Sequence, residues 1–370
     1  MTVLSSCLLL ASYPYNSSNG VKQDVSDPCS HEITLVFAGD IMQHMPQVEA
    51  AWNNQLGIYI YDSCFKFVNP LLSGADLAIA NIETTLAGKP YSGYPAFSSP
   101  DELVTGMLNA GIDIVGTANN HCCDRGRVGI ERTVSVLDSL GMMHMGTYQS
   151  IADFRENNPL IINTRGFRLA FLNYTYGTNG NPVPEGNVVN LIEKDRISGD
   201  LKTARDSMAD KIIVFIHWGD EYQRVPNDFQ KDIARFLFEQ GADIIIGSHP
   251  HVLQPMEWLQ ADSLNKERIV VWSLGNYVSN QRKRYTDGGA MFSVTLTKGK
   301  TLTTISQAGY YLTWVFNPVE NGLRQYYILP AKEYENDTLL LDSTSRDDLK
   351  VFLNDSRELL KEKNIRIGEF

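Results

Sequence analysis

The chain has 370 residues, 43% of them hydrophobic, enough to build one large domain or two ordinary ones around a sizeable core. Its formal net charge of −11 leaves no global positive field to recruit phosphate backbones, which excludes a general nucleic-acid binder. An anionic substrate held by local cations remains open, and no stretch reaches the roughly 20 apolar residues that span a bilayer.

At the N-terminus, Leu4-Ser5-Ser6-Cys7 has the small-residues-then-cysteine pattern of a bacterial lipoprotein cleavage site. The charged and long apolar regions of an ordinary export signal are missing. The pattern predicts an extracytoplasmic protein anchored to the membrane through Cys7, with residues 1–32 as a disordered leader. The alternative is a frayed cytoplasmic N-terminus. Of the five cysteines, Cys7, Cys29, Cys64, Cys122 and Cys123, none forms a CxxC zinc pattern. Adjacent Cys122 and Cys123 are expected as free thiols packed near a site.

Apolar runs that end in polar residues or Gly predict strands over 33–38, 76–80, 113–117, 160–162, 168–173, 211–216, 243–247 and 268–273. Helical patterns lie between them over 100–110, 128–140, 192–208 and 227–240. Gly111-Ile112-Asp113 and Gly241-Ala242-Asp243 repeat one logic: a helix stops at Gly, Asp follows, and a buried strand begins. Alternating strands and helices imply an α/β fold. Beyond about residue 285 the texture becomes β-rich, with strands expected over 290–297, 301–309 and 324–329. A charged helix over 346–362 closes the chain. The expected division is a leader (1–32), one α/β domain (33–330) and a helical C-terminal extension (331–370).

The candidate ligands fall at the strand ends. Asp40 follows the first strand. Asn81 and Glu83 follow the second. Asn119, Asn120 and His121 follow the third, His217 the 211–216 strand, and His249 and His251 the 243–247 strand. In open α/β sheets that edge is where ligands bind. Carboxylate, amide oxygen and imidazole together suit a borderline or hard divalent ion such as Mn, Fe, Zn or Mg. In His249-Pro250-His251, an extended backbone would point both imidazoles to one side, and Pro250 biases His249 to that geometry.

At these residues the chain resembles the bacterial poly-γ-glutamate capsule-synthesis proteins of CapA type, within the calcineurin-like metallophosphatase-fold superfamily. The motifs that carry the resemblance are Gly39-Asp40-Ile41-Met42-Gln43-His44, Asn81-Ile82-Glu83-Thr84, Asn119-Asn120-His121-Cys122-Cys123-Asp124, His217-Trp218-Gly219-Asp220-Glu221-Tyr222, Gly247-Ser248-His249-Pro250-His251 and Ser273-Leu274-Gly275-Asn276. The resemblance implies a four-layer αββα sandwich, to which the β-rich stretch read above would be a C-terminal extension, and a divalent-metal centre of one or two ions. Carried over by position, Asp40, Glu83, Asn120, His217, His249 and His251 would be ligands. His121 takes the place of the superfamily's general acid.

Two departures matter. Met42 stands where the superfamily's first motif has a histidine, and a thioether is a poor ligand for hard ions. The usual bridging Asp is replaced by Asn81-Ile82-Glu83. His44, four residues after Asp40, is a candidate for the missing imidazole or a substrate contact. Around the ligands, Asp124 could fix the His121 tautomer or cap the following helix, and Glu221 could assist as a base. Asn81, Asn119 and Asn276 are candidate substrate contacts. Arg282-Lys283-Arg284 is the densest cationic run, which makes Arg282 and Arg284 candidates to receive a carboxylate- or phosphate-bearing polymer.

Two functions follow. The first is a metal-dependent hydrolase or transferase acting on a phosphoester or amide bond of an anionic cell-envelope polymer. The second is a non-catalytic polymer-binding component of capsule assembly or export, alongside membrane-bound capsule-synthesis partners.

Overall fold

The computed structural model describes residues 32–370 except 262–265, 301 and 321. Cys7, Cys29, His31 and the lipoprotein-like leader therefore lie outside the described residues.

Four parallel strands begin the first sheet: β1 (Glu32–Ile41), β2 (Leu77–Ile82), β3 (Ile114–Gly116) and β4 (Met143–Met145). The second sheet has β5 (Leu160–Thr164), β6 (Phe167–Thr175), β7 (Lys211–His217), β8 (Ile244–Ser248), β9 (Met256–Leu259) and β10 (Arg268–Val271), in spatial order β9-β10-β8-β7-β6-β5. The chain then returns to the first sheet. There β11 (Asn276–Val278) pairs with the end of β1, and β12 (Gly288–Lys298), β13 (Thr303–Phe316) and β14 (Tyr327–Pro330) extend it by antiparallel pairing. Strand β15 (Gly368–Glu369) completes nine strands by pairing with β13.

Side-chain alternation along the strands sets the layers, because successive residues face opposite sides of a sheet. On β1, Ile33, Leu35 and Phe37 enter a core shared with Phe171, Ile213, Phe215, Ile244 and Ile246 of the second sheet. Val36, Ala38 and Ile41 face the other way. That outer face is covered by helices that include α2 (Glu102–Ala110) and α3 (Gly126–Leu140), through Leu103, Met107 and Leu137. Ahead of these, α1 (Met45–Ala51) follows β1 directly. The outer face of the second sheet, with Ile212, Val214 and Ile216, packs on α4 (Lys194–Asp206) and α5 (Asp228–Glu239) through Ile197, Leu201, Ile233 and Leu237. The result is the four-layer αββα sandwich. The central strands read as unbroken apolar runs because both of their faces are buried.

The C-terminal helix α6 (Ser343–Lys363) inserts Leu349, Phe352, Leu353 and Leu360 into the core between the sheets. Each fully buried leucine contributes about 1.5–3 kcal/mol.

A repeated aspartate explains how the strand ends come into line. Asp76, just before β2, accepts the Thr34 amide of β1 at 2.8 Å, and Asp113, before β3, accepts the Ala78 amide of β2 at 2.9 Å. Asp210, before β7, accepts the Arg168 amide of β6 at 2.7 Å, and Asp243, before β8, accepts the Ile212 amide of β7 at 2.8 Å. Each carboxylate satisfies an amide at the start of the neighbouring parallel strand and so fixes register from that end. Gly111 and Gly241, at φ 97° and 102°, make the left-handed turns that deliver two of these aspartates.

Candidate metal centre

With register fixed at the starts of the strands, their carboxyl ends meet. Asp40 lies beside Asn81 on one side and Asn276 on the other, and His217 lies between Thr175 and Ser248. The first sheet thus contributes Asp40, Asn81 and Glu83, and the second His217, His249 and His251. Two close backbone approaches secure this edge. A Cβ on Gly39 would lie 2.0 Å from the Gly275 carbonyl oxygen, which accepts the Asp40 amide at 3.1 Å. A Cβ on Gly247 would lie 2.1 Å from the Trp272 carbonyl oxygen. The first motif and the Ser273-Leu274-Gly275-Asn276 segment are therefore one interlocked unit.

Ligand atoms of Asp40, Glu83 and His217 lie within 4.8 Å of one another, as do those of Glu83, His249 and His251. Glu83 is common to both groups, and its Oε1 lies 3.7 Å from both His217 Nε2 and His251 Nε2. All five residues are buried. Asn120 joins them, with Oδ1 at 3.0 Å from His217 Nε2, while Ser248 Oγ sits 2.9 Å from the other ring nitrogen of His217. The structure thus gathers all six residues proposed as ligands.

The donor set passes a test of fit for a cation. Glu83 Oε1, His249 Nδ1 and His251 Nδ1 are buried without a hydrogen-bond partner among the described residues. His251 Nδ1 does approach Asp40 Oδ2 at 3.3 Å, but without hydrogen-bond geometry. Buried polar atoms left unpaired are costly, and a cation bound among these residues would relieve that cost. The electrostatics agree. Desolvation, then the neighbouring Asp40 carboxylate, raises the Glu83 carboxyl well above its ordinary value. Desolvation, then His249 and His251, depresses His217. His249 falls to about 3, again chiefly by burial. His217 and His249 are thus neutral, each with a lone pair, and a cation would offset the cost of ionising Glu83.

The backbone at the two histidines differs from the extended geometry expected of His-Pro-His. His249 and His251 have φ of 98° and 58°, the left-handed region that non-glycine residues rarely occupy. Strain of this kind, of order 1–3 kcal/mol per residue, persists where surrounding contacts enforce it. Here the His249 amide donates to Asp40 Oδ2 at 3.2 Å, and the Pro250 carbonyl accepts the Tyr222 amide at 2.8 Å. The preference of a residue before proline is overridden by these bonds.

Beside the ligands, His121 Nδ1 lies 2.7 Å from Asp124 Oδ2, and the ring packs edge-on to Phe97 at 4.6 Å between centroids. This contact leaves Nε2 as the ring nitrogen not committed to Asp124. Asp124 also accepts the Phe97 amide at 2.8 Å, so it braces the histidine and a loop at once. Asn81 is central. Its Nδ2 donates to Asp40 Oδ1 at 2.7 Å and lies 3.4 Å from His217 Nδ1. Glu221 is exposed beside these groups.

Several residues expected to meet substrate are directed elsewhere. Asn119 uses Nδ2 on the Ile82 carbonyl and Asn81 Oδ1, and Oδ1 on the His121 amide, so it braces its neighbours. Asn276 donates to Gln281 Oε1 and the Thr286 carbonyl, which ties down the following loop, although its Oδ1 has no hydrogen-bond partner among the described residues. His44 falls in neither ligand group. It stands at the N-cap of α1, where its amide donates to Gln47 Oε1 at 2.9 Å, its Nδ1 accepts the Asn280 amide at 3.3 Å, and its ring packs edge-on to Phe97. Arg282 donates twice to the Val315 carbonyl, and Arg284 forms a two-point pair with Asp355 of α6. Neither guanidinium is aimed at the centre. Met42 is buried. Cys122 and Cys123 are free thiols with sulfurs 3.9 Å apart.

Tyr176 was not singled out by the sequence. It is exposed, yet its ring lies 4.6 Å from that of His249 and stacks at 11° on that of His217. It follows β6 at the same carboxyl edge, so its position carried the signal. A search restricted to acid, amide and imidazole side chains passed over a phenol.

The chain belongs to the bacterial capsule synthesis protein family PGA_cap, whose family model matches residues 34–281. Over 267 residues it is 28% identical to the capsule biosynthesis protein CapA of Bacillus anthracis, covering 68% of this chain and 61% of that relative. Over 274 residues it is 28% identical to the PGA biosynthesis protein CapA of Bacillus subtilis, covering 73% of this chain and 69% of that one. The chain therefore spans less than two thirds of the first relative. Among solved structures, the NAD nucleotidase of Haemophilus influenzae aligns at a TM-score of 0.48 and 13% identity, covering 88% of this chain and 67% of that chain.

Proposed function

We propose that this protein serves capsule or poly-γ-glutamate metabolism as a divalent-metal-dependent hydrolase or transferase acting on a phosphoester or amide bond of an anionic envelope polymer. The observation that carries the reading is the gathering of buried ligand atoms of Glu83, His249 and His251 within 4.8 Å of one another, with Glu83 shared with a second such group of Asp40 and His217. Asp40, Glu83, Asn120, His217, His249 and His251 would hold the cation. A bound cation of this kind polarises a substrate oxygen and makes water a better nucleophile at neutral pH.

The chain's own residues do the rest. Asp124 accepts the Nδ1 proton of His121 and stabilises the imidazolium, so Nε2 is the atom that hands a proton to the leaving group. Phe97 covers one flank of that ring and limits its motion. Tyr176 stacks on the ligand histidines and keeps them from rotating away. On the same reading the protein acts outside the cytoplasm, anchored through Cys7, with membrane-bound synthesis partners. Lipid labelling that survives Cys7→Ser would remove the anchor.

The test is a turnover screen of metal-loaded protein on phosphodiester and γ-glutamyl amide substrates. Wild type should turn over one class, and His121→Gln should retain metal but lose turnover. Wild-type turnover by His121→Gln sinks the assigned role. A loaded protein that binds polymer and cleaves neither class is instead the non-catalytic polymer-binding component.

A further inference from the structure

We propose that Lys283 is an anion anchor beside the centre, its ammonium receiving a carboxylate or phosphate that lies within a few residues' length of the reacting bond. The inference rests on the polymer-processing reading above and gives that site a specific recognition element.

The structure divides the cationic run residue by residue. Arg282 spends both terminal nitrogens on the Val315 carbonyl, and Arg284 is neutralised by Asp355 at 2.7 and 2.9 Å. Lys283 has no ion-pair partner among the described residues, and its Nζ stands 4.7 Å from the centre of the Tyr222 ring. A cation–π contact orients an ammonium without cancelling its charge, so the group remains able to bind an anion.

Tyr222 places that charge. Its ring lies 6.3 Å from that of His251. Its backbone sits at φ 65°, held by the hydrogen bond that its amide donates to the Pro250 carbonyl within His249-Pro250-His251. The loop that carries the phenol is thus fastened to the turn that carries two ligands. Together the two distances bound the path from ammonium to imidazole to the length of about three extended residues. Tyr94, near His121, and Tyr176, over His249, are exposed phenols on the same approach. Lys283 adds a positive charge to this rim of phenols. Glu221, the exposed acid beside Tyr222, is not within ion-pair distance of it among the described residues. Lys283 also lines a cavity of about 430 Å³ beside α6, whose wall mixes Arg282 and Arg324 with Asp287 and Asp348.

The experiment measures affinity of metal-loaded protein at low ionic strength for two probes, a fluorescein-labelled γ-linked oligoglutamate and inorganic pyrophosphate. Lys283→Met should weaken the recognised probe about tenfold, Lys283→Arg should largely keep it, and added salt should erase the difference. A loss confined to oligoglutamate assigns the anchor to carboxylates, and a loss confined to pyrophosphate assigns it to phosphates. Unchanged affinity of Lys283→Met for both probes, or no binding of either by wild type, overturns the proposal. Metal content of the same samples reports separately on the centre. Lys283-dependent binding without any retained metal would remove the catalytic reading and leave the anchor.

Discussion

His121 Nδ1 and Asp124 Oδ2 stand 2.7 Å apart, and both side chains are buried at the edge of the candidate ligand cluster. The same carboxylate oxygen takes the Phe97 amide, so Asp124 holds a loop and orients a histidine together. Asp124→Asn keeps the shape but removes the charge that stabilises the imidazolium. The expected outcome is a fall in kcat of about 10–100-fold with metal content unchanged. Leaving groups that need no proton should lose less. An equal loss for good and poor leaving groups would contradict the proton-donor role.

Glu83 makes cation binding pH-dependent. Burial raises its carboxyl in the metal-free protein, so a proton must leave before a cation enters. Affinity should rise with pH across the interval above the ordinary carboxylate range, about tenfold per unit for one proton. Calorimetry in buffers of different ionisation enthalpy should count about one proton released per ion.

The same shift has a stability sign. A folded value above the unfolded one gives stability that is complete below the ordinary carboxylate value and is lost as pH rises through the raised one. The depressed His217 and His249 act oppositely, losing their contribution as pH falls below the ordinary imidazole value, for His249 toward about 3. Glu83→Gln isolates the carboxyl. In chelator, its stability advantage over wild type should grow from acidic to neutral pH. A constant difference would show that Glu83 is not the group concerned.

Gly39 tests the interlock of the two motifs. A methyl group there would meet the Gly275 carbonyl at 2.0 Å, and backbone on both sides cannot rotate away. Gly39→Ala should cost about 3 kcal/mol, the upper end of overpacking penalties. It should also weaken metal retention, because Asp40 is the next residue. Denaturant midpoints and metal content measured together check both.

Leu353 tests whether α6 belongs to the central core. It is fully buried in the cluster between the sheets. Leu353→Ala should destabilise by about 2–5 kcal/mol in a single transition. A loss below about 0.5 kcal/mol would mean that the helix is only appended.

Much of this was legible in the sequence, and the exceptions have physical reasons. The parallel strands announce themselves as apolar runs bounded by Gly-x-Asp, and the aspartate proves to be the residue that caps the neighbouring strand. The six candidate ligand positions could be listed because a strand's carboxyl end is visible as the place where the run stops. The left-handed backbone of His249 was not legible, since its φ of 98° is enforced by a contact with Asp40, 209 positions away. Nor does adjacency in Arg282-Lys283-Arg284 show which cation is spent. Asp355 and Val315, which engage two of the three, come from distant segments. Asn119 reads as a ligand-edge amide like Asn120, and only the surrounding carbonyls turn it into a brace.

The most direct measurement is the metal content of folded protein after reconstitution with a single divalent ion and removal of excess, for wild type and for Glu83→Ala, the residue shared by both ligand groups. The expected result is at least one ion per wild-type chain and loss of tightly held ion from the variant while it remains folded. Wild-type protein that folds and holds no ion, or a variant that holds as much as wild type, would contradict the assignment of Asp40, Glu83, His217, His249 and His251 to a common cation.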